Sequence, residues 1–304
     1  MNIAVIGLGK MGEAIAWRAL QAGHMVYGYD TNTAPEFVES IKKQGIIYVR
    51  QLSDYREYAI DLFWIMVPQG HIVDSVLNEI CIYACKGSLF LDGGNSHFTD
   101  SIRRAHYLEQ QGFSFLDCGT SGGVHGRKNG FCLMVGGDRK AYEKVESLLT
   151  AVAAHNGCLY TGPSGTGHYV KMIHNGIEYG MLQAYAEGFH LLKDGSFKDA
   201  QLDLEAIAMV WNHGSVVRSW ILELVQNVMH NDPEMDSVVG SVAATGMGAW
   251  TVEEAHKTTI PVPVIEKSLD VRTWSQETGG NYATKVVAML RNQFGGHAFV
   301  TKKD

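Results

Sequence analysis

Within "GHYVKMIHNGIEYG", residues 167–180, five side chains capable of polar chemistry fall in nine positions: Lys171, His174, Asn175, Glu178 and Tyr179. On a helix, Lys171, Asn175 and Glu178 recur at offsets of four and three and share one face, and Lys171, His174 and Glu178 make an i, i+3, i+7 stripe. Two readings of this row are open. In one, Lys171 and Glu178 form a solvated charged face, with Met172, Ile173 and Ile177 turned to the core. In the other, the row faces a ligand: a partly desolvated lysine has its pKa lowered toward neutrality and acts as a base, while a glutamate beside it is raised and acts as an acid.

The elements around the row bear on that choice. "NIAVIG" (2–7), the helical "KMGEAIAWRALQAG" and "MVYGYD" (25–30) have the βαβ rhythm of a parallel sheet covered by helices. Further strands are expected over 58–67, 87–94, 113–118 and 131–137, and strand signals stop near Tyr160. After the breaker-rich "TGPSGTG" (161–167) the pattern turns helical. One long helix is expected over 167–193, with apolar Val170, Ile173, Ile177, Met181, Leu182 and Tyr185 at helical spacing. Shorter helices follow over 203–212, 216–230, 250–258, 261–273 and 281–292. The expected architecture is an α/β Rossmann-type dinucleotide-binding domain, 1–164, then an all-α substrate-binding and oligomerisation domain, 165–304, with the long helix at the junction. Domain junctions are preferred ligand sites, which favours the second reading of the row.

"GLGKMG" (Gly7, Leu8, Gly9, Lys10, Met11, Gly12) has GxGxxG spacing directly after the first strand. Glycines there serve a tight turn, close approach of backbone to pyrophosphate and helix–strand packing, and the helix N-terminus offers N–H groups to phosphate. Asp30 ends the second strand, where its carboxylate can accept hydrogen bonds from the adenosine ribose hydroxyls. The same carboxylate would repel a 2'-phosphate, so NAD is preferred over NADP. "MVPQG" (66–70) and "DGGNS" (92–96) follow the next two strands, at the strand ends that face the ligand crevice of such a sheet. That places Val67, Pro68, Gln69, Asn95 and Ser96 near the nicotinamide, although Asp92 and Asn95 also suit ordinary turn roles.

The chain has 304 residues, 46% hydrophobic and 19% charged, enough for a large core and more than one domain. A formal net charge of −7 excludes a global positive field for nucleic acid or an anionic membrane. The start "MNIAVIG" lacks a signal-peptide pattern and no apolar run approaches the roughly 18 residues of a membrane span, so a cytoplasmic protein is expected. Five cysteines without paired CxxC spacing read as reduced thiols, mostly buried, and no metal site is expected.

"GHYVKMIHNGIEYG", together with "DGGNS", "TSGG" (120–123) and "RNQFGGH" (291–297), resembles the 6-phosphogluconate dehydrogenases, the decarboxylating enzymes of the pentose phosphate route, within the β-hydroxyacid dehydrogenase superfamily. The resemblance implies oxidative decarboxylation of 6-phosphogluconate to ribulose 5-phosphate. Lys171 would take the C3 hydroxyl proton as hydride leaves C3, then polarise the new carbonyl while carbon dioxide departs. Glu178 would protonate C1 of the resulting enediol. Asn175 and His174 would hold oxygens near C3, Asn95 would bridge substrate and nicotinamide, and Ser121, Gly122 and Gly123 would receive the carboxylate end. Tyr179, Arg272, Arg291 and His297 occupy the family's phosphate-binding positions. In the family the last two reach into the partner subunit, which implies a homodimer or homotetramer.

The chain resembles the short class, with one helical repeat where longer members have two. Lysines of longer members are replaced by Thr245 and Ala249 in "ATGMGAWT" (244–251), leaving the Thr245 hydroxyl as a phosphate donor without charge. "GGVHGR" (122–127) replaces an acidic pair, and His125 and Arg127 suit either packing or the pocket rim. Two other readings compete: a non-decarboxylating dehydrogenase of 3-hydroxyisobutyrate or tartronate semialdehyde, which needs Lys171 but not Glu178, and a dinucleotide-binding sensor without turnover.

Overall fold

The protein is described by a computed structural model covering residues 1–244 and 246–302. Its chain divides into two compact units, Met1–Met172 and the residues from Ile173 onward.

The first unit contains, in order, β1 (Asn2–Ile6), α1 (Lys10–Gln21), β2 (Met25–Tyr29), α2 (Pro35–Lys43), β3 (Ile47–Tyr48), β4 (Leu62–Ile65) and α3 (His71–Cys81). It continues through β5 (Leu89–Asp92), α4 (Phe98–Gln110), β6 (Ser114–Ser121), the short α5 (Gly126–Asn129), β7 (Phe131–Gly137), α6 (Arg139–Val152) and β8 (Ala153–Gly162). These strands form one sheet in the order β3-β2-β1-β4-β5-β6-β7-β8. The reversal of direction at β1, with β2 on one side and β4 on the other, is the doubly wound arrangement whose crevice lies at the strand carboxyl ends. Central strands are apolar on both sides because helices cover both faces: β4 (Leu62, Phe63, Trp64, Ile65) is buried throughout. Separate apolar clusters fill the two faces, one around Ile15, Trp64 and Leu91, the other around Phe63, Ile80 and Phe90.

Two features depart from the expected parallel sheet. β7 runs antiparallel to β6, from which only α5 and a turn of 3-10 helix separate it. A hairpin of this kind needs no crossover helix, and "GGVHGRKNG" supplies the turn, with Gly122, Gly123 and Gly130 at positive φ. β8 then pairs parallel to β7 and completes the sheet, a strand that its mixed, mostly half-buried sequence "AAHNGCLYTG" conceals.

α7 (Thr166–Asp194) begins in the first unit and continues into the second. The second unit is otherwise built from α8 (Leu204–Asn212), α9 (Trp220–Asn231), α10 (Met247–Thr258), α11 (Pro263–Thr278) and α12 (Tyr282–Gly295). Its core gathers Leu182, Ala186 and Phe189 of α7 with Leu222, Val225 and Val228 of α9 and Val286, Val287 and Leu290 of α12. The start of α9 corrects the expected 216–230: Ser219 caps the helix by accepting from the Leu222 N–H, which leaves Val216 outside it.

Two further expectations are corrected. Ile177 of α7, which the solvated-face reading turned to the core, is exposed, as are Val170 and Met181. Only Cys118 of the five thiols is buried; Cys85 and Cys132 are exposed and Cys81 and Cys158 lie between, all unpaired by disulfides. Burial pushes the Cys118 thiol far up, so it is an inert packing group.

Candidate active site

The three glycines of "GLGKMG" divide the geometric work between them. Gly7 turns the chain out of β1 at φ +93°, and a side chain there would meet the Met66 carbonyl oxygen at 2.6 Å. A side chain on Gly12 would come within 1.9 Å of the Gly7 carbonyl oxygen, so Gly12 is what lets α1 lie against the end of β1. Gly9 is different: nothing lies within 4 Å of its side-chain position, and as the N-cap of α1 it offers no side-chain bond to the first-turn N–H groups. An open, uncapped helix start suits a pyrophosphate, and the residues present fit a dinucleotide. Leu8 is buried beneath the turn while Lys10 is exposed and Met11 half-buried.

Asp30 is held at this turn from both sides. Its Oδ2 accepts from the Leu8 N–H at 2.6 Å and its Oδ1 from the Asn32 N–H at 2.8 Å. The Tyr48 hydroxyl donates to the carbonyls of Asp30 and Asn32. The carboxylate is thus locked onto the glycine turn rather than waving in solvent.

The loops after β4 and β5 separate into inner and outer residues. Val67 is half-buried, and Pro68, Gln69 and Asn95 are exposed. Ser96, expected among the ligand-facing residues, is 1% exposed and donates to Asp92 Oδ2 at 2.6 Å; it is corrected to an internal brace. Asp92 itself is fully buried and also accepts from the Gly94 N–H.

β6 carries the next group. Ser121 ends the strand and Gly122 and Gly123 follow at φ +129° and +53°, a conformation that ordinary side chains resist. Arg127, just beyond, lies over the Trp17 ring and meets Glu13 at 3.3 Å, which settles it as packing against α1; His125 is exposed.

Lys171 is 5% exposed, and its stem lies directly on β6: a side chain at Gly119 would come within 2.3 Å of the Lys171 Cβ. The first turn of α7 reaches this closeness because glycine meets glycine, Gly136 of β7 facing Gly167. Asp117, fully buried on β6, accepts from the Gly165 N–H at 2.6 Å and the His168 N–H at 2.9 Å and so pins the helix start. Sequence reasoning passed over Asp117 and Gly119; the available signal was a charged residue and a glycine inside the apolar run "FLDCG". The solvated-face reading of Lys171 is therefore corrected.

In the second unit, His174 Nδ1 and Asn175 Oδ1 are 3.0 Å apart, and the Asn175 amide reaches the Met247 sulfur at 3.4 Å. Glu178 is half-buried and Tyr179 nearly buried. Glycines again set the packing: Gly176 faces Thr251, and Gly248 leaves room for the Tyr179 ring. Over that ring, 3.2 Å from its centre, lies the Arg272 guanidinium, 1% exposed. Burial lowers the Arg272 pKa to about 10; Tyr179 and Glu178 act to raise it and the Arg291 charge to lower it further. Its Nη1 donates to the Ala243 carbonyl at 3.4 Å, and its Nη2 is buried with no hydrogen-bond partner among the described residues. A buried cation with a spare donor suits an anion. Arg291 is half-buried on α12, while His297 is exposed and packs against Gly295 and Phe294 of its own helix end. Thr245 lies outside the described residues. Among the described residues, no three His, Cys, Asp or Glu side chains are grouped to hold a metal ion, and no helix is long and apolar enough to cross a membrane.

Comparison with known proteins follows the same division of the chain. Residues 2–162 match the family model for the NAD binding domain of 6-phosphogluconate dehydrogenase, and residues 167–303 match that for its C-terminal domain. The Bacillus subtilis protein YqeC is 44% identical over 300 residues, covering 98% of this chain and 99% of that one. The NAD(+)-dependent, decarboxylating 6-phosphogluconate dehydrogenase of Haloferax volcanii is 40% identical over 308 residues, covering all of both chains. Among solved structures, Plasmodium falciparum 6-phosphogluconate dehydrogenase superposes with a TM-score of 0.81 at 27% identity, covering 91% of this chain and 62% of that one. A glycine turn fitted to a dinucleotide and a buried lysine on the following long helix thus coincide with matches to both domains, and the chain belongs to the 6-phosphogluconate dehydrogenase family of the β-hydroxyacid dehydrogenase superfamily.

Proposed function

We propose that the protein oxidatively decarboxylates 6-phosphogluconate to ribulose 5-phosphate and carbon dioxide, with NAD as the preferred acceptor, residues 1–164 serving the dinucleotide and 165–304 the substrate. The observation that carries this reading is the pairing, on one helix, of the buried Lys171 with Tyr179 and its stacked Arg272 cation. A general base and a phosphate receptor are what this substrate needs at its C3 and C6 ends.

NAD, when bound through Gly7, Leu8, Gly9, Lys10, Met11, Gly12, Asp30, Val67, Pro68 and Asn95, supplies a hydride acceptor. Lys171 takes the proton of the C3 hydroxyl, and its burial against Gly119 keeps the amine from being solvated away from that task. Once C3 is a carbonyl, protonated Lys171 donates to its oxygen, which accepts the electron pair released as the C1–C2 bond breaks and carbon dioxide leaves. Glu178 then delivers a proton to the former C2, now the terminal carbon of the enediol, and the ketose forms. Asn175 and His174 orient the hydroxyls, and Ser121, Gly122 and Gly123 receive the carboxylate through a hydroxyl and backbone N–H groups. Arg272, Tyr179, Arg291, His297 and Thr245 hold the phosphate.

NAD is favoured because the Asp30 side chain is fastened beside the glycine turn by the Leu8 N–H, where its carboxylate would repel a 2'-phosphate. A homo-oligomer is supported by the exposed Ile177, Met181 and Leu191 along α7 and Trp220 on α9, apolar surface that a second copy would cover. The deciding measurement is carbon dioxide release coupled to NADH formation from 6-phosphogluconate. NADH without carbon dioxide would instead indicate a non-decarboxylating β-hydroxyacid dehydrogenase, and neither product would indicate a sensor.

A further inference from the structure

Arg104, on α4, is 1% exposed and spends its guanidinium on four acceptors at once. Nε donates to Asp74 Oδ1 at 2.8 Å, Nη1 to Ser96 Oγ at 2.9 Å and Asp92 Oδ2 at 3.2 Å, and Nη2 to the Gly70 carbonyl at 3.0 Å. Gly70 closes the loop after β4, and Asp92 and Ser96 bound the loop after β5. One planar, rigid group therefore spans both loops. β4 and β5 are parallel neighbours, Ile65 opposite Asp92, so the two loops emerge side by side at the carboxyl edge where such sheets bind ligands.

A charge this deeply buried is a poor device for stability alone, since an apolar residue of similar volume serves that purpose as well or better. The geometry of the fork is what an apolar residue lacks: its donors point in fixed directions, so the Gly70 carbonyl and the Asp92 carboxylate cannot drift apart without losing bonds. The residues carried outward by the two loops are Pro68, Gln69 and Asn95.

We propose that Arg104 is a positioning residue that fixes the spacing of these loops and thereby the pose of the nicotinamide ring between Pro68 and Asn95. The proposal rests on the reading that these loops contact the nicotinamide half of the dinucleotide. It predicts a split between two ligands: NADH, which carries that half, and ADP-ribose, which lacks it. In Arg104→Lys, which keeps the charge but loses the fork, NADH binding followed by its fluorescence should weaken about tenfold while ADP-ribose affinity stays within about twofold. Asp74→Ala removes one arm of the network, leaves the buried Asp92–Arg104 pair in place and should show the same split at about threefold, which covers the case of an Arg104→Lys chain that fails to fold. Equal weakening of both ligands, or no change in either, in the variants that fold would overturn the proposal. The underlying reading fails separately, in the unmodified protein, if NADH binds no more tightly than ADP-ribose.

Discussion

The Arg272 guanidinium lies 3.2 Å from the centre of the Tyr179 ring, and both side chains are buried. Among the described residues the Nη2 group has no hydrogen-bond partner, so the burial of this cation is only partly offset by the Tyr179 ring, the Ala243 carbonyl and the Glu178 charge. Arg272→Met should therefore leave the melting temperature of the ligand-free protein within about 2 °C of the original or raise it, while abolishing the upward shift that 6-phosphogluconate produces. Thermal melts with and without substrate check both halves; an undiminished substrate shift in the variant would remove Arg272 from the phosphate site.

The same cation gives a pH expectation. Its folded-state pKa is depressed to about 10, well below the ordinary arginine value, so the folded protein releases this proton before the unfolded chain does. The cost of burying the charge is fully present below about 10 and fades as pH rises from there toward the ordinary arginine value, the range in which the unfolded chain still holds the proton. Phosphate recognition runs the other way: 6-phosphogluconate affinity should fall as pH rises through about 10, measured by calorimetric titration, and the fall should vanish in Arg272→Met.

Lys171→Ala should lower kcat by a factor on the order of 10²–10⁴, with NADH binding unchanged, because a positioned base contributes in that range. Gly119→Ala tests the same lysine from the opposite side. Its new side chain would meet the Lys171 Cβ at 2.3 Å and the Gly167 carbonyl at 2.7 Å, so α7 must move and kcat should fall in protein that still binds NADH. Steady-state kinetics of the folded variants decide; retention of most turnover by Lys171→Ala would show that another group is the base.

If the proposed role of Asp30 holds, Asp30→Ala should weaken NAD by about tenfold or more and NADP much less, since the carboxylate would accept from the ribose hydroxyls as well as fasten the Leu8 N–H of the glycine turn. Parallel titrations with the two dinucleotides check this. Equal losses would mean that the turn-fastening role dominates and that cofactor choice lies elsewhere.

Arg291 is near enough to Arg272 in its own chain to act on its charge, whereas the family resemblance assigns Arg291 to the partner's site. Mixing subunits separates the two arrangements. If the arginine acts across subunits, refolding equal amounts of Lys171→Ala and Arg291→Ala chains, assayed at a substrate concentration too low to saturate the Arg291→Ala site, should restore about a quarter of full activity, one working site in each mixed dimer. If it acts within its own chain, the mixture stays inactive. Ile177→Glu, in the exposed stripe of α7, should shift the protein toward monomers in sedimentation and remove any restored activity.

The glycine turn, the acidic end of β2, the alternation of strands and helices and the 29-residue α7 were all legible in the sequence, because each is a local pattern: a spacing, a cap or a period. Residue types alone also marked Lys171, Asn175, Glu178 and Tyr179 as a row with chemistry. What local pattern does not encode is which surfaces meet. Helical spacing picked out Val170, Ile177 and Met181 as an apolar pattern, but periodicity does not name what covers such a pattern, and these residues are exposed. The strand over 131–137 was expected, but its antiparallel direction and the pairing of β8 escaped because pairing partners are chosen across the sheet. The burial of Lys171 against Gly119, the pinning of α7 by Asp117 and the four-armed bracing by Arg104 join residues distant in sequence. Such contacts exist only once the chain has packed, so tertiary structure decided them: it turned an ambiguous charged row into a buried lysine on a fixed helix.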